Sequence, residues 1–292
     1  MSCSRFPAAA AIAVLLGACA PVGPDTCATA VRTADLPAPL DEASGLAASR
    51  RLHDVIWAHN DSEGTAVLYA IDRAGRLLAQ IPLPRAGTQF DWEDIAIGPC
   101  HAGDCIYIAD IGDNLHRRTD RALLRLAEPA APTARAGDIE RFPFRFPDGP
   151  EDAEAMFITP DTVVYIVTKG RSRAITLYRY PPPLRAGVPV TLETVQRLSD
   201  GIAQLSDLVT GADASPDGRR VAIRTYTRVR LFRFDADTLV PTMEPPGLDL
   251  LPLGEPQGEA VTFLAPDTLL LATEAGPART QPFLAHAACT IR

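Results

Sequence analysis

Glu42-Ala-Ser-Gly-Leu46, Glu93-Asp-Ile-Ala96, Glu154-Ala-Met-Phe157, Asp213-Ala-Ser-Pro216 and Glu259-Ala-Val-Thr262 are five versions of one phrase, an acid at the head of a short segment. They are 51, 61, 59 and 46 residues apart. Between them runs a procession of short apolar stretches such as Val55–Ala58, Ala66–Ile71, Cys105–Ala109, Thr162–Val167, Val221–Arg224 and Thr268–Ala272, split by Gly, Pro, Asp and Ser. Short β-branched or aromatic runs with a turn signal every 8–12 residues read as strands. A period of about 40–60 residues with about four strands in each unit describes an all-β protein, a β-propeller of four-stranded blades around a channel. Five phrases predict five blades, and the two longest intervals leave room for a sixth. A β-sandwich has no reason to repeat an acid before a strand at this interval.

The last unit offers strands near Glu259–Leu264, Thr268–Thr273 and Phe283–Ala287 and lacks a fourth. Cys27–Thr33, ahead of the first phrase, can supply it, so that N- and C-terminal strands pair and close the ring. Closure removes strand edges that would otherwise recruit other chains, and the expected state is a monomer. Of six cysteines, Cys27 and Cys289 lie at opposite ends of the body, and their disulfide would lock that seam. Cys100 and Cys105 bracket a tight loop that a hairpin disulfide would close. No Cys-x-x-Cys and no His/Cys cluster has zinc spacing.

Residues 1–18 read as a secretory signal, with Arg5, an apolar run from Ala8 to Leu16, and small residues after it. Leu16-Gly17-Ala18-Cys19 has the form of a lipobox, which would make Cys19 the lipidated first residue of a membrane-anchored, extracytoplasmic protein. Ordinary cleavage after Ala20, giving a soluble secreted protein, is the competing reading. Disulfides persist in oxidising compartments, which agrees with export to the periplasm or cell exterior. The chain then divides into the signal (1–18), a lipid-bearing cysteine with tether and closing strand (19–39), and the propeller (40–292).

A net charge of -8 excludes nucleic acid as an expected partner, because phosphate binding needs a positive face. The chain has 27 Arg and one Lys, Lys169. In a propeller, each inner strand starts where the second strand ends, so Glu42, Glu93, Glu154, Asp213 and Glu259 are expected around one mouth of the channel. Beside them fall His59-Asn60-Asp61, Asp110 with Asp113-Asn114, Lys169, Arg224 and Glu274. Acids at strand starts often do no more than fix turns. Five converging carboxylates, however, repel one another and call for a cation. Oxygen-only ligands suit calcium, and Asp91, Glu93, Asp94, Asp110, Asp113 and Asn114 give the densest supply. Neither a nucleotide nor a haem is indicated.

Three functions follow from that mouth. It binds a small ligand or an envelope component, with calcium; or it is a calcium-dependent hydrolase of phosphoesterase or lactonase type; or it is a noncatalytic scaffold. For hydrolysis the candidates are Glu93, with Asp110 and Glu154, near the metal while a carboxylate activates water, His59 to shuttle protons, and Lys169 and Arg224 to hold an anion. Ser44 and Ser215 lie beside acids, but no nucleophile elbow or triad is visible. Trp92 reads as a core residue.

Read together, the phrases are similar to a group of exported bacterial β-propeller proteins of mostly unknown function. The resemblance rests on Glu42–Ser49 with Trp57–Ser62, Phe90–Gly98 with Ala109–Asn114, Thr210–Gly218 with Arg224–Tyr226, and Gln257–Phe263 with Thr273-Glu274. The Asp91-Trp-Glu-Asp94 and Asp110-Ile-Gly-Asp-Asn114 elements are its most specific parts. More distantly, the repeat resembles phytase-like and lactonase-like propellers. That resemblance implies calcium at the channel mouth and a hydrolytic activity.

Overall fold

A computed structural model describes residues 23–61, 65–86, 91–245 and 247–292; the signal segment and the Cys19 lipidation site lie outside them. The chain forms five antiparallel blades around one axis. Blade 1 is Ala43–Ala48, Ile56–Asn60, Val67–Ile71 and Leu77–Pro82. Blade 2 is Trp92–Cys100, Gly103–Asp110, Ala122–Ala127 and Ile139–Arg145. Blade 3 is Ala153–Ile158, Val164–Thr168, Ala174–Arg179 and Glu193–Ile202, and blade 4 is Val209–Ala214, Arg220–Thr225, Arg228–Asp235 and Thr238–Pro241. Blade 5 takes Gln257–Ala265, Thr268–Glu274 and Phe283–Thr290 from the C-terminal end and Val31–Asp35 from the N-terminal end.

The strand patterns follow from radial stacking. Each inner or second strand is covered on both faces, so it reads as a continuous buried run, as in Ala153–Ile158 and Val164–Thr168. Outer strands are covered on one face and alternate, as Leu77–Pro82 does. Apolar side chains gather in five clusters, each filled by two neighbouring blades. Ile106 and Ile108 face blade 1 with Trp57 and Leu68, whereas Tyr107 between them faces blade 3 with Met156 and Tyr178. The fifth cluster joins Leu270 and Leu284 of blade 5 to Leu46 and Ile56 of blade 1, which closes the circle.

The long intervals in the sequence hold no sixth blade. They contain the loop after Asp110, the long outer strand Glu193–Ile202, and Val190–Thr191, which crosses back to pair in parallel with Ile139–Arg145. At the seam, Thr26–Cys27 and Val31–Asp35 both pair with Phe283–Thr290, so the expected closing strand is split in two. Cys27 lies opposite Cys289 and is bonded to it, and Cys100 is bonded to Cys105.

The two disulfides cross-link very different lengths of chain, 262 and 5 residues apart. In the chain-entropy account the longer loop stabilises more. The double variant Cys27→Ser/Cys289→Ser is expected to lose about 2–4 kcal/mol in denaturant unfolding, and Cys100→Ser/Cys105→Ser less. Equal losses would contradict the seam's role.

Candidate functional site

The inner strands share a local irregularity that builds the mouth. Each carries a β-bulge near its start, at Ser44, Glu93, Glu154, Thr210 and Glu259. A bulge inserts one unpaired residue and re-aims its side chain. These five residues form the inner tier. The residue just before each bulge pairs with Asn60, Asp110, Thr168, Thr225 and Thr273 of the second strands. The next residue along forms a second tier: Asp61, Ile111, Lys169, Tyr226 and Glu274.

Two of the five acids in the sequence phrase therefore fall out of phase. Glu42 precedes the bulge register by two residues and is exposed. Asp213 lies three residues past Thr210, near the other end of the channel, and accepts from Thr262 Oγ1 at 2.8 Å and from the N–H of Phe263 at 2.9 Å. The hydroxyls that occupy the register in blades 1 and 4 hold neighbouring backbone. Ser44 Oγ donates to the Glu93 carbonyl at 2.7 Å, and Thr210 Oγ1 to the Glu259 carbonyl at 3.0 Å.

Glu93, Glu154, Lys169, Glu259 and Glu274 come together at this mouth with Asp91 and Asp61. Carboxylate oxygens of Asp61, Asp91 and Glu93 lie within 4.8 Å of one another. Gly112 is pressed against them: a Cβ there would collide with Glu93 Oε1 and sit 2.5 Å from Asp91 Oδ2. Lys169 Nζ is 2.6 Å from Glu154 Oε1, with both side chains buried. Asp152 was missed in the sequence. Its Oδ1 accepts from the N–H of Asp113 at 2.9 Å, and its buried Oδ2 has no hydrogen-bond partner among the described residues. Asp61, expected beside the mouth but not among the metal candidates, follows its strand as Lys169 follows Val164–Thr168.

The other expected site residues have different surroundings. Asp94 is buried on the axis and accepts from the N–H groups of Ile95, Met156 and Ala212 at 2.9, 2.8 and 3.1 Å. Asp110 is paired with Arg118 at 2.7 Å, and Asp113 with Arg121. Asn114 accepts from Arg171, and Asn60 Nδ2 donates to the Pro39 carbonyl at 3.0 Å. Arg224 is fully buried between blades, bonded to the carbonyls of Ala260 and Ala272 and to Glu255 at 2.5 Å. His59 is buried edge-on to Trp92, and burial lowers its pKa to about 4.

Burial combined with like charge dominates the electrostatics. Burial first, then Asp91, Glu154 and Glu274, push Asp61 up to about 8. Burial raises Glu154 to about 7 against the pull of Lys169, and burial with Glu42 raises Glu274 to about 7. Glu93 and Glu259 lie well above the usual carboxylate range, chiefly from burial and then from neighbouring acids. Burial works against the charge on Lys169, but Glu154 and Glu93 more than reverse it and raise its pKa. The mouth thus holds more acid than its one lysine balances.

A raised carboxyl pKa means that the folded protein holds protons the unfolded chain has released. The stability this contributes is present below the unfolded values and is lost as pH rises through the folded ones. In chelator, the melting temperature should fall between pH about 5 and about 8, and Glu93→Gln should flatten that slope. A melting temperature that rises over this interval would be inconsistent with the raised carboxyls.

No protein-family model matches the sequence, and no match was found among curated proteins. Solved structures do match. The PQQ-bound form of an aldose sugar dehydrogenase from Streptomyces coelicolor aligns with TM-score 0.55 and 12% identity, over 93% of this chain and 100% of that one. A glucose dehydrogenase aligns with TM-score 0.50 and 12% identity, over 89% and 99%. A gluconolactonase from Xanthomonas campestris gives TM-score 0.44 and 14% identity, over 93% and 99%. At such identities the first two likenesses speak to the propeller fold and to nothing more.

Proposed function

We propose that the protein binds a small ligand at the acidic mouth through a divalent cation of the calcium class, held by Asp61, Asp91 and Glu93. The observation that carries this reading is the convergence of their oxygens within 4.8 Å, with Glu93 buried and Asp61 and Asp91 half-buried. The donor set fits: all are carboxylate oxygens, the ligands a hard cation prefers. Gly112 leaves both Asp91 and Glu93 room to approach, and the unpartnered Oδ2 of Asp152 adds acceptor capacity at the same mouth. A bound cation supplies a positive centre for an oxygen of the ligand. Lys169 pairs with Glu154 beside it, and Tyr226 and Glu274 border the opening. Asp110, Asp113 and Arg224, already paired within the fold, support the walls.

Calcium titration by calorimetry should give saturable binding that strengthens as pH rises, because the cation displaces protons from raised carboxyls. Asp61→Asn and Glu93→Gln should weaken it about tenfold or more. Gly112→Ala, which removes no charge, should abolish it by pushing the two carboxylates apart. No heat with the native protein, or native affinity in Gly112→Ala, would overturn the reading.

One observation favours catalysis. Glu154, tuned to about 7 and locked to Lys169 at 2.6 Å, has the acidity of a general acid–base group. Hydrolysis of nitrophenyl phosphate or of a simple lactone, lost in Glu154→Gln while calcium still binds, would establish a hydrolase. Absence of turnover with both probes would leave binding as the function.

The setting we propose is outside the cytoplasm, on a lipid anchor at Cys19. Two disulfides and the Leu16-Gly-Ala-Cys19 stretch support it. Among the described residues, no helix is long and apolar enough to cross a membrane.

A further inference from the structure

Two grooves meet at the mouth, and their chemistry differs. One, of about 560 Å³, runs past Asp61 and Glu274 and is walled by Asp41 and Glu42, with Arg279 its one cation among the described residues. The other, of about 510 Å³, lies between Tyr226, Glu255 and Gly258 on one side and two 3-10 turns, Leu205–Asp207 and Leu251–Leu253, on the other. Gln257, at the start of the blade 5 inner strand, lines both.

The second groove combines features that a bare surface has no use for. Leu205 and Leu251 are 75% and 65% exposed. A single exposed leucine is ordinary, but these two crown separate turns and line the same depression. Beneath them, the Glu255 side chain is only 5% exposed. Its Oε1 accepts from Arg224 Nη2 at 2.5 Å, while Oε2 is buried and has no hydrogen-bond partner among the described residues. A buried acceptor left without a donor is costly, so a donor supplied from the groove is favoured there. Four carboxylates to one guanidinium in the adjoining groove act against an anionic head group.

We infer that the molecule this mouth accepts is a neutral amphiphile: a hydroxyl-rich head lies over Asp61, Asp91 and Glu93, one hydroxyl donates to Glu255 Oε2, and a hydrocarbon tail lies between Leu205 and Leu251. This inference rests on the proposed cation-dependent site and adds the class of ligand. The tail assignment follows from the second groove's lining: it borders the first at Gln257, and Leu205 and Leu251 are its exposed leucines. Burying several methylene groups there should strengthen binding by about tenfold or more over a tail-less analogue.

The test uses the full chain with calcium present and two probes, methyl glucoside and octyl glucoside, the latter kept below its micelle threshold. Octyl glucoside is expected to bind about tenfold or more tighter than methyl glucoside. In Leu205→Asn/Leu251→Asn that advantage should vanish. Both positions are exposed, so the variant should melt like the native protein; its calcium titration should also be unchanged. Equal affinity for the two probes, or an octyl advantage that survives the double substitution, would overturn the inference while leaving the cation site standing. If calcium fails to bind but octyl glucoside binds in the leucine-dependent manner, the cation reading falls and the tail groove is supported. Binding to phosphatidylcholine vesicles without binding of monomeric octyl glucoside would overturn the inference, making the leucines a membrane contact.

Discussion

The inner edges of five sheets have no sheet to pair with, and the fold depends on how that deficit is met. The strand ladder of each inner strand is formed with the second strand of its own blade alone, so backbone N–H groups facing the axis need other acceptors. Asp94 supplies three of these contacts at once, reaching the N–H groups of Ile95, Met156 and Ala212 in blades 2, 3 and 4. Asp213 carries the connection to blade 5 through Phe263 and Thr262, and Thr262 Oγ1 accepts from the N–H of Ala48 in blade 1. Ser44 returns it to blade 2. The polar residues of the channel are therefore first a solution to a backbone problem. This explains why so apolar a chain keeps carboxyls on its axis.

The bulges turn this solution into a site. Because each inner strand bulges at the same register, one side chain per blade is aimed into the mouth, and the blades diverge in what they place there. Blades 2, 3 and 5 present glutamates. Blades 1 and 4 present hydroxyls that hold the backbone carrying Glu93 and Glu259. The second tier breaks the pseudo-symmetry further, with an aspartate, an isoleucine, a lysine, a tyrosine and a glutamate. Negative charge thus concentrates on one side of the axis, beside Asp61 and Glu93, while Tyr226 and the leucine-bearing turns make the opposite side less polar.

The architecture was legible because radial stacking writes itself into sequence. Strands buried on both faces appear as unbroken apolar runs, and the missing fourth strand of the last unit pointed to the seam at Cys27 and Cys289. The phase of the site was less legible. An acid before a strand looks the same whether it sits two residues ahead of a bulge, as Glu42 does, on it, as Glu154 does, or three beyond, as Asp213 does. The bulge depends on pairing with a second strand and leaves no mark in composition. The roles of Asp110, Asp113 and Arg224 were hidden for a related reason. Their partners, Arg118, Arg121 and Glu255, lie in loops, where no periodicity indicates which way a side chain returns.

Closure and site chemistry are coupled through the fifth blade. Glu259 and Glu274 stand on strands whose blade is complete only when Val31–Asp35 has joined Phe283–Thr290. The apolar cluster that packs Leu270 and Leu284 against Leu46 then shuts the last radial gap. Without that step, water would reach the mouth from the side, and carboxyls such as Glu259 would regain the hydration whose loss raises their pKa. The burial that makes these acids costly, and receptive to a cation, is therefore a property of the closed ring rather than of any one blade. A site assembled in this way exists only in the fully folded protein. In the extracytoplasmic setting proposed above, the terminal disulfide would hold the two chain ends that keep it assembled.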